Sequence, residues 1–140
     1  LEKSEKYYKI NFDLVVILQP TTPFRTGKQI DKCIKMLLEN KSDACITIKE
    51  PDYPPHWSLK LNNNKLSFLN KSKKNFTRRQ DAPKTYIPAG SVYVIKKKCL
   101  LKLKKNLPNN NTSGLLVSSK EGINIDNKHQ LELARILANE

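Results

Sequence analysis

Three short stretches of this sequence carry side chains whose types and spacing could do chemistry. Residues 19–25 read QPTTPFR. Pro20 and Pro23 each remove a backbone donor and fix φ, so the loop is stiff and presents Gln19, Thr21 and Thr22 in one arrangement. The plain alternative is a proline turn that merely starts the next helix. Residues 78–83, RRQDAP, set two guanidiniums side by side in a chain where arginine occurs only at positions 25, 78, 79 and 135 while lysine is abundant. A planar guanidinium can grip a carboxylate or phosphate through two parallel hydrogen bonds, which makes this pair more informative than a lysine pair. The alternative is a solvated basic loop. Asn124 and Asp126 flank Ile125, and in extended chain side chains two apart share a face. Two oxygens so placed suit Mg²⁺, although a helix cap at Asp126 is the commoner use of such a residue. His56 and His129 stand singly, and none of the four glycines lies in a glycine-rich phosphate loop.

These residues need elements to position them. Phe12 to Leu18 is continuously apolar and β-branched, which predicts a strand buried on both faces, as in a parallel sheet. Its carboxyl end delivers QPTTPFR, and ligands of such sheets gather at that end. Thr26 is a candidate N-cap for a helix whose apolar stripe is Ile30, Cys33, Ile34, Leu37 and Leu38. DACITIK at 43–49 is the next strand, so the three elements form a right-handed βαβ unit. Residues 51–90 break the rhythm: PDYPPHW is proline-rich loop, SLKLNNNKLSFL predicts a hairpin around its asparagines, and the rest has no clear period. An insertion of this kind carries function or a dimer contact. The core pattern resumes with a strand at GSVYVIK, a short basic helix at KKCLLKLKK, a strand at LLVSS and an extended INID. A closing helix follows, with Leu131, Ala134, Leu137 and Ala138 as its stripe.

At 140 residues the chain is one domain's worth of protein. It begins at Leu1 with a charged lead-in, and no segment reaches the roughly 18 consecutive apolar residues of a membrane span. The expectation is a soluble cytoplasmic protein without a membrane partner. Cys33, Cys45 and Cys99 each sit in an apolar pattern without metal-like spacing, which predicts reduced, buried thiols. The net charge of +13 is mostly dispersed lysine. Aromatics are few and not interleaved with it, so nucleic acid is disfavoured as a partner, while a polyanionic small substrate is compatible.

Taken in order, VVILQPTTPFR, RRQDAPKTYIPAGSVYV and INID followed by an amphipathic helix resemble the acylneuraminate cytidylyltransferase family, the CMP-sialic acid and CMP-nonulosonic acid synthetases. The likeness runs from about residue 12 to the C-terminus, and the motifs in register are more specific than any one alone. It implies an α/β, Rossmann-like nucleotide-sugar transferase fold with a mostly parallel sheet, residues 1–140 being the C-terminal part of a single domain. It implies transfer of CMP from CTP to a nonulosonic acid with release of pyrophosphate, Mg²⁺ as cofactor, and a homodimer built on the 51–90 insertion.

Carried onto this sequence, the resemblance puts Gln19 where nucleotide and sugar meet, and Arg79 and Tyr93 facing the sugar. Gly90 belongs to the substrate-binding set, Lys60 reaches towards a partner's site, and Asp126 with Asn124 holds the metal. No residue is implied as general base. The departures are as informative. Nothing corresponds to the family's N-terminal strand and phosphate-cradling loop. Ala89 stands where the synthetases mostly have asparagine, and Asn124 replaces the first aspartate of the metal pair. A second reading follows from these substitutions: a non-catalytic remnant that keeps the fold, the dimer or acidic-sugar binding. On either reading, residues 1–140 alone are not expected to turn over CTP.

Overall fold

The computed structural model describes residues 1–69, 78–103 and 110–140. They form α1 (Glu2–Tyr8), β1 (Leu14–Ile17), α2 (Gly27–Glu39), β2 (Ala44–Lys49), β3 (Leu59–Asn62), β4 (Lys65–Phe68), β5 (Ile87–Lys96), α3 (Lys97–Leu103), β6 (Thr112–Leu116) and α4 (Lys128–Ala138). The chain divides into two compact units, one of residues 1–49 with 88–140 and one of residues 50–87.

The larger unit is built on a four-stranded sheet in the order β1-β5-β2-β6. β1 pairs antiparallel with β5, Ile17 opposite Tyr93, and β2 pairs parallel with β6, Ala44 opposite Thr112. Lys96 at the end of β5 donates its N–H to Asp43 O just before β2 (3.0 Å), and the Val92 N–H reaches Thr47 Oγ1 (3.0 Å). β5 therefore runs against β2 as well, and β1, β2 and β6 share one direction.

Alternation along the inner strands sorts side chains between two faces. Val92 and Val94 of β5 and Cys45 of β2 meet Cys33 and Leu37 of α2, with Leu14, Ile30, Ile34 and Leu115 around them. On the opposite face Tyr93 and Ile95 meet Ala44 and Cys99, backed by Ile17, Ile46 and Leu100. The three cysteines are free and buried, as expected. The Cys33 thiol is pushed up by its hydrogen bond to Cys45 and by burial, which keeps it protonated and unreactive.

α2 begins where the sequence placed it. The Thr26 N–H donates to Gln29 Oε1 (3.3 Å), half of a capping box. Leu38, assigned to its apolar stripe, is instead 60% exposed, because the stripe that meets the sheet is narrower than the pattern implied. α4 is capped by Asn127, whose Oδ1 accepts the Gln130 N–H (2.9 Å), and not by Asp126. β6 starts at Thr112, three residues ahead of the apolar LLVSS, since its register follows β2 and Ser42 and Ser113 pair hydroxyls at 2.6 Å. The basic helix ends at Leu103, and residues 104–109 lie outside the described ones.

α1 lies in the charged lead-in and buries no residue. It is tethered by Glu5, which accepts from Lys97 Nζ (2.6 and 2.7 Å) and from the Phe12 N–H (2.9 Å). The hydrogen bond from Lys97 holds the Glu5 carboxyl below the usual carboxylate range. Among the described residues no helix is long and apolar enough to cross a membrane.

The smaller unit holds the hairpin β3–β4, a two-stranded antiparallel sheet. Asn63 and Asn64 both adopt positive φ (45° and 62°), the geometry a two-residue turn between right-twisted strands requires. The Leu69 N–H closes back onto Ser58 O (2.8 Å). Residues 70–77 of the expected insertion lie outside the described ones.

Candidate nucleotide-sugar site

The loop after β1 is held by hydrogen bonds converging on one carbonyl. Gln19 O accepts from Arg25 Nη1 (2.9 Å) and from Thr22 Oγ1 (2.9 Å), and the Thr22 N–H approaches it at 3.4 Å. Arg25 Nη1 is also 3.0 Å from Thr22 Oγ1 and 3.2 Å from Ser91 O. One guanidinium nitrogen thus closes the loop and rivets it to β5, and Thr22 beneath it is buried. Arg25 is a residue the sequence reading quoted without assigning a role. Its signal was the one used for Arg78 and Arg79, an arginine in a chain that otherwise spends lysine.

With the backbone fixed, the Gln19 side chain lies over Gly90. Gly90 has φ +81°, and a Cβ there would come within 2.5 Å of Gln19 Oε1. Because β5 runs against β1 and β2, its amino end meets their carboxyl ends. Gln19, Gly90 and the end of β2 therefore share one rim of the sheet, the rim where α/β folds bind ligands. Lys49, at the end of β2 and unnoticed in the sequence, sends Nζ to Gly122 O (2.8 Å). Ala89 is buried, and a Cβ on Gly122 would contact its Cβ at 3.5 Å. Position 89 thus packs against the 118–122 loop. Ala89→Asn is expected to cost about 1–3 kcal/mol of stability through overpacking and a stranded amide, which denaturant unfolding would measure.

Asn124 and Asp126 reach the same rim from the loop before α4. The Ile125 N–H donates to Thr21 O (2.8 Å), which ties this loop to QPTTPFR. The Thr21 hydroxyl donates to Asn124 Oδ1, and Asn124 Nδ2 spans both carboxylate oxygens of Asp126 (2.9 and 2.8 Å). No group of three or more histidine, cysteine, aspartate or glutamate side chains suited to a metal occurs among the described residues. Asp126 is exposed, and one carboxylate completed by water and substrate phosphates is a donor set Mg²⁺ accepts. Asn124, as it lies, turns its NH₂ to Asp126 and its oxygen to Thr21.

Tyr93 is only 8% exposed, packed within the second core cluster, and burial pushes its phenol up. Gln19, Gly90, Asn124 and Asp126 are thus brought together, with Tyr93 behind them in the sheet. Arg79 and Lys60 belong to the smaller unit. There Arg79 Nη2 donates to Pro51 O (3.3 Å), and the exposed Arg79 helps line a cavity of about 480 Å³ with Pro51, Pro54, Gln80, Pro83 and Lys84. Lys60, on β3 opposite Ser67, is exposed. His129 is exposed in the first turn of α4, and His56 lies in the short turn at Pro55–Trp57.

No protein-family model matches the chain. It is 28% identical over 142 residues to the post-translational flagellin modification protein B of Campylobacter coli, an alignment covering 100% of this chain and 59% of that relative. Its fold matches that of a CMP:2-keto-3-deoxy-manno-octonic acid synthetase solved in complex with CTP, with a TM-score of 0.56 and 14% identity over 96% of this chain. The match takes in 65% of that structure, so the chain spans about three-fifths of the proteins it resembles. The fold is Rossmann-like α/β, as the motifs implied, although two of the three pairings in its sheet, β1 with β5 and β5 with β2, are antiparallel where a mostly parallel sheet was expected. The chain is thus similar in sequence to a flagellin modification protein and in fold to a CMP-sugar synthetase.

Proposed function

We propose that the chain is part of a cytidylyltransferase that moves CMP from CTP to a nonulosonic acid, releasing pyrophosphate. The observation that carries this reading is the rim itself. A loop closed by Arg25 presents the Gln19 amide over a glycine at the carboxyl ends of β1 and β2, with a carboxylate tied to the same loop through Thr21. In the reaction the anomeric hydroxyl of the sugar attacks the α-phosphorus of CTP, and the bond from that phosphorus to the bridging oxygen breaks as pyrophosphate leaves. Little covalent work falls to the protein, which must align reactants and stabilise charge. Gln19 is placed to orient the reacting groups. Arg79 is the candidate to hold the sugar carboxylate, its guanidinium exposed and bonded to the Pro51 carbonyl. Asp126 would hold Mg²⁺, whose positive charge would offset the negative charge that develops on the leaving group.

The test is pyrophosphate release from CTP by the full protein over a panel of nonulosonic acids. Turnover supports the enzyme; saturable sugar binding without turnover with any of them would favour the remnant reading, and neither would remove both. In an active protein, Arg79→Ala is expected to lower kcat/KM for the sugar about 10- to 150-fold, the equivalent of one charge-assisted hydrogen bond. An unchanged KM and kcat would take Arg79 out of the site.

The same reading makes the protein a homodimer through β3–β4. Leu59 pairs with Phe68 and Leu61 with Leu66, so all four side chains share one face of the hairpin, and all four are exposed. A lone two-stranded sheet is marginal in water and gains from having such a face covered. Lys60 would point to the other face. Leu61→Asp combined with Leu66→Asp is expected to yield a monomer by light scattering; a parent that is itself monomeric at tens of micromolar would refute the dimer.

A further inference from the structure

We infer that Asn124 is a positioning residue whose NH₂ group occupies the place against Asp126 that a cation would take, competing with a metal instead of ligating it, and that Thr21 helps to set its orientation. The inference rests on the reading of Asp126 as the carboxylate that holds the cation. The geometry is specific. Asn124 Nδ2 lies 2.9 Å from Asp126 Oδ1 and 2.8 Å from Oδ2, so one NH₂ group bridges both carboxylate oxygens. Its own oxygen is engaged by the Thr21 hydroxyl. The backbone supports the arrangement from both sides: the Ile125 N–H is bonded to Thr21 O (2.8 Å), and the Asp126 N–H to Gln130 Oε1 (2.7 Å).

An ionised carboxylate only accepts hydrogen bonds, whereas a hydroxyl both donates and accepts. Turning the Asn124 amide over would still leave Thr21 a partner. It would also set the amide oxygen against two carboxylate oxygens and forfeit both bonds to Asp126. Asp126 therefore selects the donor orientation, and the Thr21 hydroxyl reinforces it by donating to the oxygen. A cation arriving at Asp126 must displace this NH₂ group, and hydrogen bonds to a charged group are the stronger kind. The ordinary expectation for a neutral amide beside a metal-binding aspartate, that its oxygen adds one more ligand, is reversed.

The two roles predict opposite signs in a metal titration that needs no turnover. Mn²⁺, a spectroscopic stand-in for Mg²⁺, would be titrated into the purified full chain and its free concentration read by electron paramagnetic resonance. Parent, Asn124→Ala, Thr21→Val and Asp126→Asn would be compared, with circular dichroism and thermal unfolding to verify each fold. Asn124→Ala is expected to bind Mn²⁺ about 10- to 150-fold more tightly than the parent, the range that one charge-assisted hydrogen bond represents. Thr21→Val, which keeps the shape but loses the donor, should tighten binding by a smaller factor, and Asp126→Asn should abolish it. Weaker binding by Asn124→Ala would make Asn124 a ligand and overturn the inference; so would an affinity unchanged in both Asn124→Ala and Thr21→Val, or the absence of Mn²⁺ binding from parent and Asn124→Ala alike. If only Thr21→Val leaves the affinity unchanged, Thr21 loses its part while the role of Asn124 stands. Because binding is read without CTP or sugar, a protein inactive in the transfer assay but showing this order of affinities would sink the proposed activity and leave the Asn124 assignment intact.

Discussion

Replacing Gly90 by alanine is expected to destabilise the protein by about 1–3 kcal/mol and, on the proposed activity, to weaken sugar binding wherever the fold survives. Two effects meet at this position, one on stability and one on the Gln19 amide. The backbone sits at φ +81°, a region an L side chain enters only at a cost of about 1–3 kcal/mol. The new methyl would also meet Gln19 Oε1 at 2.5 Å, so the amide must swing off the rim it occupies. The second effect separates this change from ordinary backbone strain, because in an active protein it should raise the sugar KM even in buffers that restore stability. Gly27→Ala is the control: its Cβ would meet nothing within 4 Å at the first position of α2, and a neutral or slightly stabilising effect is expected there. Urea unfolding of both variants decides the matter. A Gly90→Ala protein within 0.5 kcal/mol of its parent, with an unchanged sugar KM, would mean that the Gln19 amide does not depend on this glycine.

Arg25→Ala should be comparably severe, about 2–4 kcal/mol, for a different reason. One nitrogen of Arg25 serves Gln19 O, Thr22 Oγ1 and Ser91 O at 2.9, 3.0 and 3.2 Å, and no other hydrogen bond found among the described side chains joins this loop to β5. Losing a charged donor strands partly buried acceptors, which costs more than the net worth of the bonds themselves. Arg25→Lys keeps the charge but reaches from a flexible stem without the planar fork, so it should recover only part of the loss. The acceptors are all neutral. Added salt should therefore leave the difference between parent and Arg25→Ala nearly constant; a difference that vanishes in molar salt would point to a screened surface charge instead. Activity, if present in the parent, should fall with the loop, since Gln19 and Thr21 both depend on it.

What could be read in advance followed from local rules. The strand at 14–17, the Thr26 cap, the stripe through Cys33 and Leu37 and the asparagine turn at 63–64 obey a period or a turn chemistry that needs no distant partner, whereas β1 is a half-buried edge strand paired antiparallel and not one buried on both faces, and of the expected α4 stripe Ala134 is buried while Ala138 is exposed. α1 escaped because a charged segment shows no apolar stripe. Its anchor is the ion pair of Glu5 with Lys97, ninety-two residues away in the chain. The start of β6 escaped because Thr112, Ser113 and Gly114 take their places from β2 and not from their own hydrophobicity.

The site divides along the same line. The sequence by itself determined that QPTTPFR, RRQDAP and INID are unusual, that a stiff loop follows the first core strand, and that an aspartate lies ahead of the last helix. Only the tertiary structure decided what those residues do to one another. Antiparallel pairing of β5 carries Gly90 beneath Gln19, long-range contacts make Arg25 a rivet, and Thr21 and Asp126 together turn the Asn124 amide into a donor. Arg25 and Ser91 lie 66 residues apart in the chain and Thr21 and Asn124 103, and no local pattern brings such partners together.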